Sequence, residues 1–298
     1  MYKDSIAFPN LHILLPHVGK QFAIGSFTIA FYGCVIALGM VVAFAFIMKE
    51  VKRLGYKQED YMDIFLWGLF FGVVGARLYY VAFSWDLYKD DLLSIFNLRA
   101  GGLAIYGGIL GGALTVFLVC LVKKMKFLQV ADVVIFGVLI GQIFGRWGNF
   151  FNREVFGGYT NNLLAMRLPM DSIRTQDDVT AEMMMHIKNI DGVACIQVHP
   201  TFLYESLWNL GVLVFLLWFR KRHKHFDGEI FALYLCLYGI GRYWIEAIRT
   251  DQLKIPGTQI PVSQLLAACL IAGSVIWLWW GNYRKLWKAK EPSESVEK

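Results

Sequence analysis

Arg146 follows an unbroken apolar run and opens the stretch "GRWGNFFNREVFGG" from Gly145 to Gly158, in which Asn149, Asn152 and Glu154 follow at short intervals. A guanidinium presents a planar fork of donors that matches a phosphate, and asparagine amides beside it add more. Two further arginines lie near the ends of apolar runs, Arg77 in "GARLYY" and Arg242 in "GIGRYWIEAIR". A charge inside a membrane costs at least ~2.5 kcal/mol even on the lenient insertion scale, so three at matching depth call for a shared anionic partner. The structural alternative is that each arginine snorkels to its own interface or pairs with a local carboxylate. Carboxylates are at hand: Glu246 is spaced i,i+4 from Arg242 with Arg249 three residues further on, and "HPTFLYE" brings His199, Tyr204 and Glu205 to the start of a helix marked by Pro200. Together these side chains suit a phosphate ester, such as a phospholipid headgroup, at the edge of a bilayer. Tyr32 and Tyr106 are lone hydroxyls in apolar segments, a setting common for packing or interfacial tyrosines.

The elements that must position these groups are membrane helices. Hydrophobic residues make up 57% of the 298 and charged residues only 17%, and the mean hydropathy is +0.47, outside the balance of a soluble globular domain. Apolar runs long enough to cross a bilayer recur at about 23 to 48, 61 to 84, 102 to 122, 128 to 147, 200 to 219, 229 to 248 and 261 to 281. Basic residues concentrate in alternate connections: Lys49, Lys52, Arg53 and Lys57; Lys123, Lys124 and Lys126; Arg220, Lys221, Arg222 and Lys224; and finally Arg284, Lys285, Lys288 and Lys290. The positive-inside rule then predicts an all-α membrane protein of seven transmembrane helices, with its N-terminus outside and its C-terminus cytoplasmic. Residues 150 to 199 form a small extracytoplasmic head within one polytopic domain of residues 1 to 298, and the arginines of spans two, four and six fall near the outer face. The opening segment lacks the pattern of a cleavable signal peptide. The five cysteines are scattered without ligand spacing, and glycines at 107, 108, 111 and 112 give the GxxxG spacing of close helix packing. No metalloprotease or serine-hydrolase motif is present. A transporter of an anionic or phosphorylated solute would also use membrane arginines, but the two halves show no clear repeat.

The residues from Gly145 through Arg146, Gly148, Asn149, Phe150, Asn152 and Glu154 to Gly157 fit the pattern G-R-x-G-N-F-x-N-x-E-x-x-G, and "HPTFLYE", "YGIGRYWIEAIR" and Gln264 follow in order. On these blocks the chain resembles the bacterial prolipoprotein diacylglyceryl transferases over nearly its whole length. The resemblance implies transfer of the diacylglyceryl group of phosphatidylglycerol to the signal-sequence cysteine thiol of a prolipoprotein, forming a thioether and releasing glycerol phosphate. It implies an enzyme of the bacterial inner membrane, working toward the extracytoplasmic side without cofactor, metal or nucleic acid. Arg146 and Arg242 would hold the phosphate, with Tyr32, Asn149 and Asn152 positioning the lipid. Glu154, Glu205 and Glu246 would fix the arginines, and Arg77, Gly157, His199, Tyr238 and Arg249 would complete the substrate site. Many relatives have histidine where this chain has Tyr106, so the resemblance makes Tyr106 a catalytic candidate, as a hydrogen-bonding group, and leaves the acceptor of the thiol proton open; relatives also have proline where it has Phe136.

Overall fold

A computed structural model describes residues 4–98 and 101–290, with side chains up to 283. The basic residues 284, 285, 288 and 290 therefore lie outside the described side chains, and both chain ends lie outside the described residues. Seven long helices dominate: α1 (Phe31–Arg53), α2 (Gln58–Phe83), α3 (Ile105–Val122), α4 (Phe127–Asn152), α6 (Thr201–Arg222), α7 (Glu229–Ile248) and α8 (Val262–Lys290), with α5 (Ala181–Met185) a short turn between α4 and α6. Six of the seven are long and apolar enough to cross a membrane. They expose large apolar side chains such as Leu66, Phe70, Val122 and Ile276, a surface that water would not tolerate and lipid solvates. The chain is a mostly helical, multi-pass membrane protein. The run at 229 to 248 forms α7 with those same bounds, but Glu229, Arg242 and Glu246 leave it outside the six. Glu229 and Glu246 are buried in the protein, which shelters their charge.

The first predicted span begins later than its apolar run. Residues 21 to 30 form a hairpin of β3 (Gln21–Ile24) and β4 (Phe27–Ala30), turned at Gly25 with φ of +61°, before α1 starts. Hydropathy reads the hairpin and the helix as one run because both are apolar. The head also extends beyond 150 to 199. Strands β1 (Ile6–Phe8) and β2 (Ile13–Leu15) join β5 (Met166–Pro169), β6 (Lys188–Ile190) and β7 (Val193–Val198) in an antiparallel sheet of order β2-β1-β5-β7-β6. Ile6, Leu168, Ile196, Val198 and Met183 are buried beneath it.

The chain divides into two compact units, one running to Ala43 and resuming at Ile135, the other Phe44–Val134. In the second, α2 and α3 touch backbone to backbone, since a Cβ on Gly107 would fall 2.3 Å from the Gly75 carbonyl oxygen and one on Gly111 2.4 Å from that of Phe71. Arg77, on α2, is buried there. Its Nε donates to the Ile95 carbonyl (2.7 Å), Nη1 to Gly101 and Gly102 (2.8 and 2.9 Å) and Nη2 to Ser94 and Asn97 (2.9 and 3.3 Å). These bonds match the five N–H donors of a guanidinium. In the first unit, α7 packs on α8 and α6, with Trp208 Nε1 donating to the Leu237 carbonyl at 2.9 Å. Gln142 of α4 donates to Tyr234 Oη at 2.8 Å, and Gln264 of α8 donates to the Tyr243 carbonyl at 3.1 Å.

Candidate active site

Within the first unit, α4, α6 and α7 bring the predicted charges of Arg146, Glu205, Arg242 and Glu246 together. Glu205, only 5% exposed, stands between two arginines: its Oε1 accepts from Arg242 Nη1 at 2.9 Å, and its Oε2 is ion-paired with Arg146 Nε. Arg242 Nη2 lies 2.7 Å from Glu246 Oε2 and donates to Ser263 Oγ at 3.2 Å. Glu246 meets Arg249 Nη1 at 3.5 Å, and Arg249 is clasped by Asp251 through Nε (2.8 Å) and Nη2 (2.6 Å). The i,i+4 spacing on α7 thus continues into a chain of alternating charge.

The opposite end of the chain runs into the head. Arg146 Nη1 donates to Asn149 Oδ1 at 3.4 Å, while Asn149 Nδ2 and Asn152 Nδ2 both donate to Glu154 Oε1 at 2.9 and 3.1 Å. Glu154 Oε2 pairs with Arg174 at 2.6 Å, not with Arg146 as a sequence neighbour would. Asn149 therefore relays between the arginine and the carboxylate. The backbone around Glu154 explains its aim. Arg153 (φ +52°) and Val155 (φ +61°) are both left-handed, a costly conformation for a β-branched residue, and Thr201 Oγ1 donates to the Val155 carbonyl. Arg153, 1% exposed, ties this turn to the chain's start by donating from Nη2 to the Asp4 carbonyl at 2.9 Å and the Val18 carbonyl at 2.5 Å.

Glycines seat the remaining groups. A Cβ on Gly148 would meet the Tyr32 ring at 2.6 Å, so Tyr32 lies directly on α4 beside Asn149. Gly157 bridges to Arg249, donates to the His199 carbonyl at 3.0 Å, and would place a Cβ 2.7 Å from the Ile248 carbonyl oxygen. His199 Nδ1 faces Tyr204 Oη at 3.2 Å, and Asn162 Nδ2 donates to the same hydroxyl at 3.0 Å. Burial pushes the His199 imidazole below its ordinary value of 6.5, toward the neutral form. Tyr238, one turn before Arg242 on α7, stacks on Tyr234 with ring centroids 5.5 Å apart.

Arg77 and Tyr106 are placed differently. Both belong to the second unit, where Arg77 is held by loop carbonyls and Tyr106 sits near Tyr79 at 6.4 Å between ring centroids. Arg146 and Arg242 share Glu205 as a partner, whereas the donors of Arg77 go to loop carbonyls. Sequence reasoning missed Arg174, Asp251 and Ser263, as well as Lys20, which burial and the charges of Arg153 and Arg174 push below the usual lysine value while Glu154 and Asp4 oppose the shift. Arg174 and Lys20 lie in irregular segments, where no periodicity marks a partner.

The site is thus an alternation of guanidinium and carboxylate carried on three helices. The family model for prolipoprotein diacylglyceryl transferase matches residues 20–280. The chain belongs to the prolipoprotein diacylglyceryl transferase family. It is 38% identical over 255 residues to the phosphatidylglycerol–prolipoprotein diacylglyceryl transferase of Clostridioides difficile strain 630, covering 86% of this chain and 92% of that protein. The proteins of the same name from Clostridium kluyveri (strain ATCC 8527) and Halalkalibacterium halodurans are 40% and 38% identical, over 83% and 88% of this chain and 89% and 84% of theirs. Within this transferase family, nothing favours the reading as an anion transporter.

Proposed function

We propose that this chain transfers the diacylglyceryl group of phosphatidylglycerol to the cysteine thiol of a prolipoprotein signal sequence, the first step of lipoprotein maturation. The observation that carries the assignment of roles is Glu205 held between Arg146 and Arg242, which sets two guanidinium groups from two helices around one buried point. In this reading the arginines grip the lipid phosphate and offset the charge that gathers on the leaving oxygen, where a water-poor site makes each donor effective. Tyr32, Asn149 and Asn152 orient the glycerol headgroup, and Glu154, anchored by Arg174, holds the asparagines. Glu246 and Arg249 brace Arg242, while Gly157, His199 and Tyr238 shape the walls. Arg77 secures the connection between α2 and α3, and Tyr106 contributes a hydroxyl near the lipid. The chain acts as one polytopic domain of seven spans in the bacterial inner membrane, with α7 as the sheltered span, the N-terminus outside, the C-terminus cytoplasmic and the site toward the extracytoplasmic side.

The test is transfer of labelled diacylglycerol from phosphatidylglycerol to a signal-peptide thiol by purified protein in detergent, with Arg146→Gln alongside. The expected result is a thioether product with the wild type and a rate about 10²–10³-fold lower with the variant. A folded wild type that binds both substrates and makes no product refutes the reading.

A further inference from the structure

We propose that Glu205 accepts the proton of the attacking thiol, and that the lipid phosphate turns it into a base by taking its two arginines. The inference rests on the transferase reading and deepens it. Arg146, Arg242 and Arg249 alternate by ion pairs with Glu205, Glu246 and Asp251, and Asn149 joins this run to the Glu154–Arg174 pair, so these eight charges sum to zero. A phosphodiester adds a negative charge to a buried site, where an uncompensated charge is costly. The thiol has to lose a proton for its sulfur to attack, and a carboxylate whose cations have turned to the phosphate is the group readiest to take it.

The geometry selects which carboxylate. Glu154 keeps Arg174 and two asparagine amides when phosphate arrives, and Asp251 keeps Arg249. Glu246 loses Arg242 but retains Arg249 at 3.5 Å. Glu205 has as its ion-pair partners the same two arginines that receive the phosphate. Its Oε2, fully buried, makes no hydrogen bond of normal geometry among the described residues, and neither does Glu246 Oε2. A buried carboxylate stripped of its cations favours its neutral form. Glu205 therefore takes the S–H proton as the arginines turn to phosphate. The sulfur's electron pair forms the bond to the glyceryl carbon bearing the phosphate ester, and the C–O bond breaks with its pair on the phosphate oxygen. Glu205 returns the proton to the departing glycerol phosphate and closes again on Arg146 and Arg242.

The deciding experiment is the pH–rate profile of wild type and Glu205→Gln with phosphatidylglycerol and a signal-peptide thiol. Wild type should vary little between about pH 7 and 8.5. The variant should be about 10²–10⁴-fold slower at pH 7 and gain about tenfold per pH unit as thiolate forms in water, up to the ordinary thiol value of ~8.5. It should also bind phosphatidylglycerol at least as tightly as wild type, because the phosphate's competitor is gone. A profile parallel to the wild type's, or weaker lipid binding, makes Glu205 a structural counter-ion and overturns the inference. Should the variant fail to fold, wild type still decides. A wild-type rate that climbs about tenfold per pH unit from 7 to 8.5 means that the thiolate forms in water, and overturns the proposal. Absence of transfer by wild type overturns the transferase reading itself.

Discussion

Replacing Arg242 with glutamine separates the two roles assigned to it. Its side chain is 15% exposed and serves two carboxylates, Glu205 at 2.9 Å and Glu246 at 2.7 Å, whose side chains are 6% and 3% exposed. Breaking such a buried pair costs ~3–5 kcal/mol, because the charge left behind has no water to solvate it. Each carboxylate keeps a second arginine, Arg146 for Glu205 and Arg249 for Glu246, which places the loss near ~3 kcal/mol. With ~2.1 cal/mol/K of unfolding entropy per residue over 298 residues, the melting temperature should fall by about 5 °C. Removing Glu246 together with Arg242, as Arg242→Gln with Glu246→Gln, takes an anion away with the cation and should restore most of that stability. It does not restore a phosphate donor, so transfer should stay about 10²–10³-fold below wild type in both variants. Thermal melting in detergent and labelled-lipid transfer at saturating substrate read the two effects separately. Transfer that returns with stability in the double variant would make Arg242 a structural residue and refute the phosphate assignment.

Gly157→Ala places its new carbon 2.7 Å from the Ile248 carbonyl oxygen and 2.9 Å from His199 Cβ, so backbone must move. A loss of about 1–3 kcal/mol in thermal stability and reduced transfer are expected, whereas the same change at Gly158, which has open space, should do neither. His199 has a folded pKa below its unfolded value, so its contribution to stability is complete above pH ~6.5 and is lost as pH falls through the depressed value. Wild type should melt progressively lower as pH falls below about 6.5, and His199→Gln, whose amide oxygen still accepts from Tyr204, should flatten that part of the curve. Asp178 acts in the opposite sense: burial and then the charge of Asp251 raise its carboxyl above the ordinary value, so its ionised form is disfavoured. Asp178→Asn should raise the melting temperature at pH 7 and lose that advantage below about pH 4, which a melt at both values checks.

Much of this fold is legible because lipid simplifies the code. Apolar length alone marks the long helices, and α7 begins and ends where its apolar run does. The same signal is blind at residues 23 to 30, where a hairpin and a helix are equally greasy and only the glycine at 25 marks the turn. The sheet is harder still. Strands of three residues such as Ile6–Phe8 are too short for an alternating pattern to register, and the pairing of β1 with β5 joins residues more than a hundred positions apart. At the site, neighbours along one helix were readable: Arg242 and Glu246 share α7 at i,i+4 spacing, and Arg249 sits three residues on at the helix's end. Partners in irregular chain were not, and Glu154 finds Arg174 instead of its neighbour Arg146.

The arginines show why residue type and depth fall short of chemistry. Arg77, Arg146, Arg153 and Arg242 are all sheltered, and the sequence marks three of them as equivalent charges at apolar ends. Their surroundings separate them into two kinds. Arg77 and Arg153 end on backbone carbonyls, fixed neutral acceptors that belong to the fold and cannot leave without unfolding a loop. Arg146 and Arg242 end on the side chain of Glu205, an anion from a third helix. A guanidinium closed by carbonyls is a strut, whereas one closed by a carboxylate holds a place that another anion can fill. On that difference rests our proposal that the bridge at Glu205, more than the number of membrane arginines, is the feature on which the chemistry turns.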